Sequence, residues 1–324
     1  MTSHRVPFAA SRTPRLAAVG VAASLIAVAF IVAVTVVFLV NGQVGAVAFS
    51  LLPIGLILDM SLVGGLLAIR RRDNAIGSIL LGAGVLAAVS FTAGYYARLD
   101  DMLGGDRLPL VVPIAWLGTW TFTPAIGLMV VFLPLLFPTG HLPGPRWRIL
   151  AVAVIAALTI GAVQSATAPG PMNGITSAGA IVNPVRLPDP LSSWIQTIGA
   201  ISSLLAPPAF LIAIASVVAR FHTSRGAERQ QLKWFLFVAS IAALALGLSI
   251  VSVGPISDGA WIVGLVAVAC LPLAIGVAIL RYRLYEIDRV VSRTVSYGAM
   301  TAMLVMVFAA VNLALEALLA SMTQ

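Results

Sequence analysis

The sequence predicts an all-α protein, a polytopic helical membrane bundle of about nine transmembrane helices, and three observations carry that expectation. Of 324 residues, 60% are hydrophobic and only 9% are charged, which is more apolar surface than one soluble core can bury. Apolar runs of about twenty residues, the length that crosses a hydrocarbon layer at ~1.5 Å per residue, recur along the chain. The Lys and Arg residues stand in short blocks between those runs rather than inside them.

Reading for such runs places spans at 16–40, 46–69, 76–97, 110–136, 149–166, 195–219, 235–253, 261–280 and 295–320. Basic residues orient them. Arg5, Arg12, Arg15, Arg70, Arg71, Arg72, Arg146, Arg148, Arg220, Arg225, Arg229, Lys233, Arg281, Arg283, Arg289 and Arg293 fall on one side, whereas Arg98, Arg107 and Arg186 fall on the other. Cytoplasmic loops hold the excess of Lys and Arg, so residues 1–15 are read as a cytoplasmic N-terminal segment, 16–320 as the bundle and 321–324 as a short C-terminal tail. The run from Leu16 to Val40 is too long for the apolar region of an export signal and is read as the first span. Tyr95, Tyr96, Trp116, Trp147, Trp194, Trp234 and Trp261 flank the runs, at the depths where amphipathic rings favour the headgroup region. The net charge of +8 is thereby a topology signal, and no nucleic-acid partner is expected.

Between the fifth and sixth spans the outer loop 167–194 carries five prolines and three glycines, which argue against a long helix. Within the spans, Pro53, Pro124, Pro134, Pro207, Pro208 and Pro272 each remove a helical hydrogen bond. The adjacent pair Pro207 and Pro208 disrupts a full turn and is the best candidate for a hinge, with packing irregularity as the alternative. Gly64, Gly65, Gly82, Gly84 and Gly161 are small residues of the kind that let helices pack closely in lipid.

The inventory argues against an enzyme. The histidines are His4, His141 and His222, without an acidic partner at HExxH spacing, and neither a GxxxxGK[ST] phosphate loop nor a GxSxG elbow occurs. Cys270 is the single cysteine. No cofactor and no metal are expected. Asp59 stands near the middle of the second span, where an ionised carboxylate costs at least ~2.5 kcal/mol. It is either a neutral or hydrogen-bonded acid that locks helices together, with Ser61 or a hydroxyl of a neighbouring helix as partner, or a proton-, ion- or ligand-responsive site. Asn312 and Glu316, four residues apart, share one face of the last span, and Glu316 lies close enough to its outer end to snorkel. In the inner juxtamembrane segment 281–294, Leu284, Ile287 and Val291 repeat at helical spacing while Arg283, Glu286, Arg289 and Arg293 lie mostly off that stripe. Such a pattern suits a short amphipathic helix on the inner membrane surface.

Four inner-loop strings, RRRDNAIGSILL (70–81), FLPLLFPTGHLPGPRWR (132–148), GAERQQLKWF (226–235) and LRYRLYEIDRVVSRTVSYG (280–298), occur in this order between apolar spans. As a set they resemble the membrane region of bacterial sensor histidine kinases common in high-GC Gram-positive bacteria. Asn74 and Gly77 match the residues that open that family's third helix, and Pro138, Gly140, Leu142 and Pro143 match its turn after the fourth span. Arg283, Tyr285, Ile287, Asp288, Arg289, Ser292, Arg293 and Thr294 match its final inner loop. The resemblance implies a bacterial plasma membrane and a dimer. The family's kinase core does not follow the ninth span, and an odd number of crossings is expected to leave the C-terminus outside. Kinase activity is therefore not expected of this chain. The leading expectation is a sensory input region without a catalytic core, with membrane lipids, a second copy of the chain, or a separate kinase or membrane protein as partners. A small-solute or ion transporter using Asp59 and a membrane scaffold are the alternatives.

Overall fold

The computed structural model describes residues 12–105, 108–142, 144–172, 181–251 and 254–281. Regular structure among these residues is helical, apart from an isolated antiparallel bridge between Pro171 and Val182. The all-α expectation holds. The helices are α1 (Arg12–Val40), α2 (Gly45–Arg70), α3 (Ala75–Met102), α4 (Val111–Gly127), α5 (Leu133–Leu136), α6 (Trp147–Thr167), α7 (Leu191–Ser203), α8 (Ala206–Thr223), α9 (Gly226–Val251), α10 (Pro255–Ala269) and α11 (Leu271–Arg281). A π-helical turn, Leu128–Phe132, joins α4 to α5.

Six helical stretches among the described residues are long and apolar enough to cross a membrane: Pro14–Val40, Gly45–Arg70, Ala75–Met102, Val111–Leu136, Trp147–Thr167 and Ile256–Leu280. They correspond to the first five and the eighth of the nine expected spans. The sixth, 195–219, is not one helix. It breaks at Leu204 and Leu205, between α7 and α8, because Pro207 and Pro208 supply no amide to Ser203 or Leu204. The seventh, 235–253, falls on the continuous helix α9 as far as Val251, outside the six, and the ninth, 295–320, lies outside the described residues. The loop after α6 is shorter than expected, since α7 already begins at Leu191. Asp189 stands just before it and accepts a 2.8 Å bond from Ser193 Oγ, an acidic group at the end of a helix where exposed amides favour it.

The chain divides into two compact units, one ending at Arg220 and one beginning at Phe221. In the first, α1, α2 and α3 pack together, and the backbones of α2 and α3 come into near contact. A Cβ at Gly77 would overlap the Ala68 amide, one at Gly64 would overlap Leu81 N, and one at Gly84 would meet Ser61 Oγ. Hydroxyls stitch the same seam: Ser61 donates to Ser24 Oγ at 2.7 Å, and Ser50 Oγ lies 2.7 Å from Thr35 Oγ1 and from Tyr95 Oη. Thr35 and Ser50 also donate to carbonyls four residues back, Ile31 O and Ala46 O. In an apolar solvent such internal satisfaction is what lets a hydroxyl be buried. Next, α4 packs on α3, with Gly118 against Ala93 and Ser90 Oγ bonded to Gly118 O at 2.9 Å, and α6 packs on α4 through Gly127 and Leu158. Outward faces remain apolar, as at Leu16, Val19 and Ile26 of α1 and Ile149, Val152 and Ile155 of α6. Faces of that kind need lipid or protein against them.

In the second unit α9 runs antiparallel to α10 and α11. Gln231 Nε2 donates to Ala278 O at 2.9 Å in the last turn of α11, and Ser257 Oγ donates to Ser249 O at 2.7 Å. Arg229 lies 5.2 Å over the Phe221 ring.

Candidate functional site

Two constellations in the first unit carry more polar structure than packing alone requires. One lies at the end of the bundle that bears Arg70, Arg71 and Arg72, here termed the basic end. The other lies at the opposite end.

At the basic end, Asn74 caps α3: its Oδ1 accepts the Ile76 amide at 2.9 Å, while its Nδ2 donates to Pro138 O at 3.0 Å. One side chain thus closes the start of α3 and the turn after α5 together. Gly140, at φ +79°, is pressed against Asn74 Oδ1, so that position needs both a left-handed backbone and no Cβ. The π turn prepares this turn from the other side. Leu133 N–H reaches back five residues to Leu128 O, a register shift that accommodates Pro134, which has no amide of its own. Arg220 of α8 then donates to the carbonyls of Pro134, at 2.6 Å, and Phe137, while its Nε holds Ser216 O at 3.1 Å. A guanidinium on the terminal carbonyls of a helix meets the negative end of its dipole with charge-assisted bonds. Phe137 is fully buried beneath it.

At the opposite end the last carbonyls of α6 are closed by side chains from other elements. Trp116 Nε1 donates to Ala166 O at 2.8 Å, and Asn183 Nδ2 donates to Ala166 O at 3.0 Å and Ala168 O at 2.9 Å. Asn183 Oδ1 accepts the Val185 amide at 2.9 Å, and its own amide reaches Gly170 O at 3.2 Å. These bonds fold the chain after α6 back over the bundle, where Met172 packs with Ala97, Val111 and Ala115. Beneath lies a cavity of about 380 Å³, lined by Thr119, Gln164, Ser165, Ala168, Pro169, Pro171, Met172, Asn183 and Gln196. On its wall Gln164 Nε2 donates to the Gln196 backbone carbonyl at 3.4 Å and to Gln196 Oε1 at 3.3 Å, and Gln196 Nε2 donates to the Gln164 backbone carbonyl at 3.3 Å.

Of the residues singled out from sequence, Asp59 is buried in α2. Ser61, two residues along, donates to Ser24 Oγ. Pro207 and Pro208 fall in the first turn of α8, and Pro208 is exposed. Arg283, Tyr285, Asp288, Arg289, Arg293, Asn312 and Glu316 lie outside the described residues. The structure brings together Asn74, Pro138 and Gly140 from two of the strings that carried the family resemblance. Sequence reading missed Arg220, counted only as a loop charge, and the amides of Gln164, Asn183 and Gln196. Gln164 had a usable signal, being a lone amide inside an apolar run. No group of three or more His, Cys, Asp or Glu side chains placed to hold a metal occurs among the described residues. No family model, curated protein or solved structure matches the chain.

Proposed function

We propose that this chain is the membrane-embedded sensory region of a histidine-kinase-like receptor, crossing the bilayer about nine times with its N-terminus in the cytoplasm of a bacterial cell. What supports the reading is the junction at the basic end. Two of the four inner-loop strings that resemble the sensor family converge there, through Asn74 on Pro138 O and Gly140 on Asn74, and Arg220 ties α8 to the same turn. A rearrangement of α7 and α8 would pull on that turn directly. Output leaves through an inner loop, to a kinase core acting with this region.

The test is a chimera in which residues 1–324, followed by one added spanning helix that returns the chain to the cytoplasm, replace the membrane region of a characterised histidine kinase. Arg220→Met is expected to change basal autophosphorylation at least threefold at equal expression, and Asn74→Ala likewise. A chimera whose phosphorylation is indifferent to both substitutions would sink the sensory reading. Orientation is checked by one-sided reporters inserted after His141 and after Val185, expected to report inside and outside respectively.

A second reading rests on Asp59, an acid buried in the second span. If the chain is a transporter, Asp59→Asn abolishes proton-coupled uptake in vesicles. Equal background flux in both forms removes that reading.

A further inference from the structure

The half-open cavity beside the residues that follow α6 has a chemistry that selects its occupant. Its lining mixes the amides of Gln164, Asn183 and Gln196 and the hydroxyls of Thr119 and Ser165 with the apolar faces of Pro169, Pro171 and Met172. None of the described residues lining it carries a formal charge, so an ionic ligand would leave water without compensation from them. An apolar ligand would strand the amides instead. Amides and hydroxyls both donate and accept, which suits a solute that does the same.

The polar groups differ in how far they are committed. Asn183 spends its side chain on the fold, through the bonds to Ala166 O, Ala168 O and the Val185 amide. Thr119 donates to Trp116 O at 2.7 Å and keeps an accepting lone pair. Gln164 and Gln196 hold one another only at 3.3–3.4 Å, near the limit of a hydrogen bond. A ligand that replaced those contacts with shorter ones would gain. The apolar residues add surface against which the C–H face of a ring can pack.

We propose that this cavity binds an uncharged, hydroxyl-rich ligand of sugar type, held chiefly by Gln164 and Gln196 with Ser165. At about 380 Å³ it falls in the range of small-molecule sites and accommodates one or two sugar rings. The ligand is either a free solute or the headgroup of a glycolipid, because the cavity opens at an end of the bundle. That it serves as the receptor's input rests on the sensory reading, whereas binding itself does not.

The experiment uses the full chain in lipid nanodiscs and reads binding directly by equilibrium dialysis of radiolabelled maltose, with citrate and spermidine as charged probes. A second arm compares nanodiscs with and without diglucosyl diacylglycerol and reads photocrosslinking of the lipid to the protein. Saturable maltose binding, or glycolipid crosslinking that maps to residues 164–172 or 191–196, is the expected result. The two arms distinguish a free solute from a headgroup. Gln164→Met and Gln196→Met keep side-chain volume against Gly199, which packs on Gln164, and are each expected to weaken binding at least tenfold. Ser165→Ala, with little packing to lose, is expected to weaken it about threefold. All variants are compared at matched thermal melting.

Absence of both maltose binding and glycolipid crosslinking overturns the proposal. So does binding of citrate or spermidine as tight as that of maltose, or maltose binding that none of the three substitutions weakens. Binding without any effect of maltose or glycolipid on the chimera's phosphorylation would leave this site standing and count against the sensory reading alone.

Discussion

Asn74 performs two tasks with one amide group, and its variants separate them. Asn74→Ala loses the cap on α3 and the bond to Pro138 O, and is expected to destabilise the protein by about 1–2 kcal/mol, read as a lowered melting midpoint in detergent. Asn74→Asp keeps an oxygen for the Ile76 amide but has no donor for Pro138, so its loss should be smaller. Arg220 poses a related question of geometry. Its fork spans two carbonyls, Pro134 O and Phe137 O, which the point charge of a lysine cannot match. Arg220→Lys should therefore behave more like Arg220→Met than like wild type in the chimera's basal phosphorylation. Single residues were unevenly legible. The glycine and asparagine of the family motifs were visible as a pattern, but the partner of Asn74 is a carbonyl 64 residues away, and no local spacing encodes it. Asp59 was conspicuous as a charge in an apolar run, whereas the bond from Ser61 to Ser24 across two helices has no sequence signal.

Among the elements, most of the first unit could be read directly, because apolar runs and basic punctuation record span length and position independently of tertiary contacts. Prolines were the harder signal, since the same residue gives different outcomes. Pro53 and Pro124 sit inside continuous helices, Pro134 follows a π turn, and the pair Pro207 and Pro208 ends a helix outright. The difference lies in what takes up the freed carbonyls, which sequence does not display. Replacing both prolines of the pair by alanine restores two amides facing Ser203 and Leu204. Hydrogen exchange at residues 204–208 is then expected to slow markedly as α7 and α8 join, and unchanged exchange would assign the break to tertiary packing instead. The close seam of α2 and α3 gives a prediction of opposite sign. Gly77→Ala places a methyl group against the Ala68 backbone, and a backbone cannot rotate aside. A loss of about 1–3 kcal/mol in a detergent unfolding titration is expected.

For the whole molecule, composition and charge placement foretold a helical membrane protein, and six helices of sufficient length and apolarity bear out that much. The full count of crossings belongs to the proposed reading, because the α7–α8 break removes one uninterrupted span, α9 is not among the six, and the last expected span lies outside the described residues. The polar cavity was not legible at all. Its lining comes from α4, α6, α7 and the intervening chain, and uncharged amides leave no mark in a charge tally.

The break between α10 and α11 offers something more practical. Cys270 sits there, half-buried, two residues before Pro272, and it is the only cysteine in the chain. A thiol-reactive fluorophore or spin label therefore attaches at one position without prior engineering. The natural protein thus carries its own attachment point for a reporter, at the junction of α10 and α11.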